Sequence, residues 1–484
     1  MSDLAYLGAR ALARKIRRKE LSSLEVVDYF LARIEQKNPG INAVVTLDAS
    51  GARAAAERAD QALARGDALG PLHGVPLTVK DAYEVAGMRS TAGAKVWSEH
   101  VPTRDAVSVQ RLRAAGAIIL GKTNTPAFCS DLQSYNPLFG TTNNPWDVTR
   151  TPGGSSGGSA AALASGMTPV ELGSDIAGSI RTPAAFCGLF GHKPTYGIVP
   201  MRGHLPGPPG TLSAADLAVC GPLATSAEDL ALMLHVLAGP LPEQAKAYRL
   251  QLPAARAQTL RGYRVAVWLE DASATVDRSV LTLLSGATES LRRAGAKLEV
   301  VHPEFELKAA YDIYRSLLDP VMSVGMPKKL LSMLEELNKN SAADATDPLT
   351  SFARRGLVRH RDFVVWVELR ERLRAVWAQF FENYDVLLCP VTPTPAIVHD
   401  HSDPIPLRTI LVNGEPRAYE DQFVWNSLAT CFHLPATVLP AGRTPEGLPV
   451  GLQVVGPYLE DFTTIDFAGR ASEILGGFVP PTGY

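Results

Sequence analysis

Two glycine- and serine-rich clusters, and a lysine that closes an apolar run, hold the residues of this chain best suited to do chemistry. The clusters read Gly153-Gly154-Ser155-Ser156-Gly157-Gly158-Ser159 and Gly173-Ser174-Asp175-Ile176-Ala177-Gly178-Ser179-Ile180-Arg181, and the lysine is Lys80, after Val75-Pro76-Leu77-Thr78-Val79. Glycine permits left-handed backbone and close approach of other atoms, so two such clusters imply two tight backbone passages that meet at one place. Three readings compete. A phosphate cradle needs a glycine-rich loop opening a helix, but the first cluster has no lysine after it, and neither the P-loop nor the dinucleotide spacing is present. A flexible linker is a poor fit, because helix-forming Ala160–Ala164 and strand-like Thr168–Leu172 follow directly. Nucleophilic catalysis remains, with serines on tight loops and backbone N–H groups aimed at a developing oxyanion. A serine hydroxyl then needs a base. No histidine lies in either cluster, and a lysine can serve if desolvation lowers its pKa. Lys80, at the end of an apolar strand, has that setting; the plainer alternative is a strand-end lysine reaching solvent.

The elements that must position these residues follow from periodicity. Ser22-Ser23-Leu24-Glu25 has the pattern of a capping box. Leu24, Val27, Phe30, Leu31 and Ile34 then recur at helical spacing until Asn38-Pro39-Gly40. An alanine-rich helix is expected at 50–65, a turn at 71–74, a strand at 75–80, a helix at 106–116 and a buried strand at 117–120. Helix and strand patterns recur at 226–238, 263–268, 276–294 and 297–301, with late strands near 385–391, 435–439 and 449–455. Such alternation predicts a large α/β sheet with helices on both faces. No internal repeat is found. The Pro/Gly stretch 200–212 reads as a surface loop or lid, and 338–348 as a polar loop. Trp366, Trp377 and Phe380, at roughly helical spacing, are expected in the core rather than an acyl pocket.

Composition narrows the class. The 484 residues include 47 Lys and Arg and 49 Asp and Glu, a net charge of −2. That balance offers no electrostatic reason to expect nucleic acid or an anionic membrane as partner. The basic run Arg14-Lys15-Ile16-Arg17-Arg18-Lys19 reads as a solvated helix face. The five cysteines are scattered and form no C-x-x-C pair, which argues against a zinc site or a disulfide framework and fits a reducing compartment. His399 and His401 read as part of a polar loop rather than a metal site. No cofactor is expected. The opening Met1-Ser2-Asp3-Leu4-Ala5-Tyr6 lacks the pattern of a secretory signal, and no apolar window is long enough to span a membrane. The expected location is the cytoplasm.

With these residues in view, the chain resembles the amidase signature family. The two clusters and Val79-Lys80-Asp81 carry the likeness. Gly74-Val75-Pro76, Gly121-Lys122-Thr123-Asn124, Lys193-Pro194-Thr195, Pro390-Val391-Thr392-Pro393 and Gly447 to Gln453 support it, over about residues 5–476. The resemblance implies a single α/β/α domain over 1–484, with a signature core at about 71–200 and a mixed, mostly parallel sheet of about eleven strands. It also implies a Ser–cis-Ser–Lys triad. Ser179 would attack the carbonyl, Ser155 would bridge from a cis peptide after Gly154, and Lys80 would take the proton and return it to the leaving amine. The N–H groups of Ile176, Ala177, Gly178 and Ser179 would form the oxyanion hole. Gly154, Asp175 and Arg181 would support the site, the last two as an ion pair or as loop-bracing hydrogen bonds rather than by direct contact with substrate. The family commonly has glycine at position 177, so the Cβ of Ala177 is expected at negative φ. The segment Asn124-Thr125-Pro126-Ala127-Phe128-Cys129, with Asn136-Pro137-Leu138-Phe139-Gly140, looks closer to the fatty-acid-amide-hydrolase branch than to glutamine amidotransferase subunits. It would place Cys129 beside the substrate, unless Cys129 is an ordinary packed cysteine.

The expected activity is therefore hydrolysis of small neutral, hydrophobic or aryl amides through an acyl-enzyme on Ser179, with esters and carbamates as further substrates. Its partners would be a small amide and water, without nucleic acid or membrane, in a monomer or homodimer, and residues 200–212 and 310–350 would cover the acyl pocket. The alternative is the glutaminase subunit of a tRNA-dependent amidotransferase. A non-catalytic protein on the same scaffold is disfavoured by the complete Lys80, Ser155 and Ser179 set.

Overall fold

The computed structural model describes residues 4–342 and 344–484. Met1, Ser2 and Asp3, part of the N-terminal reading above, lie outside the described residues. Eleven strands form one sheet: β1 (Val44–Leu47), β2 (Pro76–Lys80), β3 (Ile118–Thr123), β4 (Val170–Asp175), β5 (Phe190–Lys193), β6 (Val219–Ala224), β7 (Arg264–Val267), β8 (Lys297–Val300), β9 (Val386–Pro390), β10 (Ala436–Arg443) and β11 (Pro449–Val455). Their order across the sheet is β1-β3-β2-β4-β6-β5-β10-β11-β9-β7-β8. The sheet is mixed. Parallel neighbours form two blocks, β3-β2-β4 and β9-β7-β8. Antiparallel pairings join the central strands, and β1 is antiparallel to β3. Helices pack on both faces, so the α/β class expected from the alternation is the observed one.

Local chemistry explains the main elements. Ser22 caps the helix Ser23–Ile41: its Oγ accepts from Glu25 N at 3.1 Å, and its own N donates to Glu25 Oε2 at 2.7 Å. This helix runs past the expected stop to Ile41, because a proline in the last turn costs only one backbone bond and Asn42 closes the helix in the left-handed region at φ 56°. The alanine-rich helix spans Ala49–Arg65 and ends at Gly66. The polar loop expected at 338–348 is shorter: one helix continues to Asn340, another begins at Pro348, and residue 343 lies outside the described residues.

Strands β2, β3, β4, β6 and β9 are buried along their whole length, as strands covered on both faces should be, and they carry Lys80, Lys122, Glu171 and Asp175 into the interior. The helix Gly157–Ala164, built of small residues, is also buried on every side, which brings its N-terminal cluster against the carboxyl ends of β2 and β4. Trp377 and Phe380 lie in the main core and Trp366 packs against it, with Trp377 stacked on Phe381 at 5.3 Å. His401 stacks on Tyr135 at 3.7 Å, and the backbone N of Asp400 donates to Gln133 Oε1 at 3.0 Å. Among the described residues, no helix is long and apolar enough to cross a membrane.

Candidate active site

Lys80 ends β2 with its side chain fully enclosed. Its Nζ lies 2.6 Å from Ser155 Oγ and 3.0 Å from Ser174 Oγ. Burial pulls the ammonium below its usual pKa, while Cys129, Asp175 and Cys220 oppose the fall. The strand-end lysine therefore points inward, toward both serine clusters. Ser174 is a contact that the sequence did not single out. Its only signal is its place, five residues before Ser179 on the strand next to β2.

The Gly154–Ser155 peptide is cis. Position 154 admits nothing larger than glycine: a Cβ there would lie 2.6 Å from Gln133 N and from the Leu132 carbonyl carbon. The two clusters touch directly, since Ser156 N donates to Ser179 O at 3.2 Å and Ser156 Oγ donates to Ser174 O at 3.2 Å.

The turn that carries Ser179 is held from below by a buried ion pair. Arg181 Nη2 and Nε donate to Asp175 Oδ1 and Oδ2 at 2.9 and 3.0 Å. Arg181 also reaches Asn426 O at 2.8 Å, Gln453 Oε1 at 2.7 Å and Thr430 Oγ1 at 2.6 Å. Asp175 accepts the N–H groups of Gly178 at 2.8 Å and of Ile180 at 3.1 Å. Burial alone would raise the Asp175 pKa, but the Arg181 charge and these hydrogen bonds prevail and hold it at about 2. Asp175 and Arg181 thus form a fully buried ion pair within the turn that carries Ser179. Ala177 is not among the residues at positive φ; the left-handed position is Gly178, at φ 98°, where a Cβ would meet Asn426 Nδ2 at 2.5 Å.

Cys129 lies half-buried in a short turn at φ 56°, and its sulfur accepts from Thr125 Oγ1 at 3.4 Å. Three further ionisable groups lie on or beside the strands around the lysine: Lys122, from the Gly121–Asn124 motif, and Glu171 and His204, which no motif marked. Lys122 Nζ contacts Tyr83 O at 2.5 Å, Ser90 Oγ at 2.9 Å and Asp81 Oδ1 at 3.3 Å. Glu171, on β4, accepts from Thr78 Oγ1 and, at 3.4 Å, from Thr123 Oγ1; burial raises its pKa to about 8. His204, in the 200–212 loop, sets its ring edge-on to Tyr83 at 5.0 Å, and burial together with Lys80 and Lys122 lowers its pKa to about 3. That loop is tied down beside the lysine strand: Glu84 N donates to Gly203 O at 2.9 Å, and Leu205 N to Ala82 O at 2.7 Å.

Comparison with known proteins bears on what this arrangement serves. The sequence profile of the Amidase family matches residues 25–465. Glutamyl-tRNA(Gln) amidotransferase A subunits are similar along nearly the whole chain. The one from Roseiflexus castenholzii is 35% identical over 475 residues, covering 94% of this chain and 93% of that protein. The one from Acidothermus cellulolyticus is 35% identical over 485 residues, covering 95% and 93%. Among solved structures, a bacterial aryl acylamidase of the amidase signature family superposes with a TM-score of 0.80 at 25% identity, covering 97% of this chain and 96% of that one.

The amidotransferase relatives overturn two expectations. The reading as a hydrolase of hydrophobic or aryl amides rested on the short segment 124–140, and similarity along nearly the whole chain outweighs it. The expectation of a small amide and water as sole partners, with no nucleic acid, falls as well, because these relatives are named both for a tRNA and as subunits. Net charge reports an average over the surface, and one component of an enzyme complex can serve a tRNA reaction without a basic surface of its own. By the span of the profile match and by full-length similarity, this chain belongs to the amidase signature family.

Proposed function

We propose that the chain is the amide-cleaving subunit of an amidotransferase-type enzyme, hydrolysing the carboxamide of glutamine and releasing ammonia for a partner subunit. The observation that carries this reading is the 31–35% identity to amidotransferase A subunits over at least 93% of the chain.

In this reading Ser179 Oγ attacks the carboxamide carbon. Its proton passes through Ser155 to Lys80, whose burial favours the neutral, proton-accepting form. Ser174 holds the lysine from a second side. The negative charge formed on the carboxamide oxygen is met by the N–H groups of Ile176, Ala177 and Ser179, while Gly178 N–H serves Asp175 and so acts on the loop instead of the substrate. When the C–N bond breaks, Lys80 returns the proton through Ser155 to the departing nitrogen, and ammonia leaves. Water then attacks the acyl-enzyme by the same proton route, releasing glutamate and restoring Ser179. Cys129 forms part of the wall beside Lys80 that the substrate meets.

The test is glutamine turnover by the purified chain, alone and with proteins that co-purify with it. Ammonia release is expected. In Ser179→Ala it is expected to fall by roughly 10⁴-fold or more, with the melting temperature held and labelling by a fluorophosphonate lost. Labelling at Ser179 without any glutamine turnover, in either preparation, would overturn the glutaminase assignment and leave a serine hydrolase of other specificity.

A further inference from the structure

The nucleophile loop alternates in what holds it. The carbonyl of Ile176 accepts the Tyr314 hydroxyl at 3.1 Å. The next peptide is held by its N–H instead, from Gly178 to Asp175 at 2.8 Å. In the one after that, the carbonyl of Gly178 accepts from Thr182 N at 2.7 Å. These peptides are trans. In a planar trans peptide the C=O and the following N–H point in opposite directions. Fixing the carbonyls of Ile176 and Gly178 therefore fixes the directions of the Ala177 and Ser179 N–H groups, each turned away from its peptide's hydrogen-bond donor.

For Ser179 that donor is the main chain of the following helical turn, which every sequence supplies. For Ala177 it is one side chain. Tyr314 sits on the helix Leu307–Ser323, is fully buried, and reaches across 138 residues of chain to make this contact. A phenol hydroxyl buried there needs an acceptor, and the Ile176 carbonyl supplies it.

We propose that Tyr314 is a positioning residue of the oxyanion hole: by holding the Ile176 carbonyl it turns the Ala177 N–H toward the oxygen on which negative charge develops. The proposal rests on the reading of Ser179 as nucleophile given above. It also accounts for the tolerance of alanine at 177, since a peptide whose direction is set by Tyr314 does not depend on a flexible residue there.

Tyr314→Phe deletes the hydroxyl and keeps the ring. The second-order rate of fluorophosphonate labelling, which needs the same N–H groups on the phosphoryl oxygen, is expected to fall roughly 10- to 100-fold, with the melting temperature within a few degrees of the parent. A normal labelling rate in a folded Tyr314→Phe protein overturns the proposal, as does a lowered melting temperature with unchanged labelling, which would make Tyr314 a packing residue. A second measurement does not depend on the variant folding. In parent protein carrying ¹⁵N-alanine, the Ala177 amide proton is expected to move downfield when Ser179 is phosphonylated, and no movement overturns the proposal. Ser179→Ala separates the two levels: labelling that persists in it removes the nucleophile assignment itself, whereas its loss alongside normal labelling of Tyr314→Phe removes only the role of Tyr314.

Discussion

Lys80 is useful as a base only in so far as burial disfavours its charge. Its pKa is lowered by desolvation, and the nearby Cys129, Asp175 and Cys220 limit the fall. The sign follows: activity should rise with pH as the lysine loses its proton, and the rise should vanish in a variant without it. Amide and ester substrates offer a sharper test. An amine must be protonated to leave, while a phenolate leaves unaided. Lys80→Ala is therefore expected to slow hydrolysis of an amide about 10²- to 10⁴-fold. It should slow an activated ester of the same acyl group far less. Equal losses on the two substrates, measured as kcat/KM, would show that the lysine does not deliver the leaving-group proton.

At the scale of elements, the site is the place where β2, β4 and the buried helix Gly157–Ala164 come together. Glu171 lies in this junction, hydrogen-bonded to Thr78 on β2 and Thr123 on β3. Burial raises its pKa from 4.5 to about 8, so at neutral pH the folded chain holds a proton there that the unfolded chain has released. The stability that the protonated carboxyl contributes is whole below pH 4.5 and is lost as the pH climbs toward 8. Glu171→Gln keeps the shape and removes the titration. Urea unfolding from pH 5 to 8 should show the parent losing stability more steeply than this variant. Parallel slopes would mean that Glu171 is ionised in the fold.

On the scale of the molecule, Arg181 ties the turn that carries Ser179 to parts of the chain about 250 residues away. Its guanidinium joins Asp175 to Asn426, Thr430 and Gln453, so the turn before the helix Arg181–Cys187 is fastened to β11 and to the helix Val424–Thr430. A buried pair of this kind contributes little net stability when intact, but removing one partner strands the other charge. Arg181→Met should cost about 3–5 kcal/mol in urea unfolding. Adding Asp175→Asn to it should cost little more, because the double variant leaves no orphaned carboxylate. If the single changes simply sum in the double variant, the two residues are not coupled.

Much of this was legible in the order of residues. Apolar runs and capping patterns marked β2, β3, β4, β7, β8, β9, β10 and β11 and the helices Ser23–Ile41, Ala49–Arg65, Val107–Ala114, Ala227–Leu237 and Arg278–Arg293, because burial and helix termini leave periodic, local traces; the helices Leu307–Ser323, Lys328–Asn340 and Asp461–Leu475 were not marked. The two glycine clusters marked the meeting of two tight passages, since a neighbour as close as Gln133 N to position 154 leaves room only for glycine. The lysine and the serines were visible by type and spacing. The strands β1, β5 and β6 were not: β1 and β5 have only four residues each, and β6 is interrupted by Gly221 and Pro222.

Which groups face one another had to await the tertiary structure. The approach of Ser174 to Lys80, the use of Gly178 N–H by Asp175, and the reach of Tyr314 to Ile176 all depend on the direction of a side chain or a peptide plane. Those directions are set by contacts between elements distant in the chain, and no local periodicity encodes them. The order of residues alone carried the family likeness and the residue types proposed to react; the packing of the helix Leu307–Ser323 and of β4 sets how those residues are aimed.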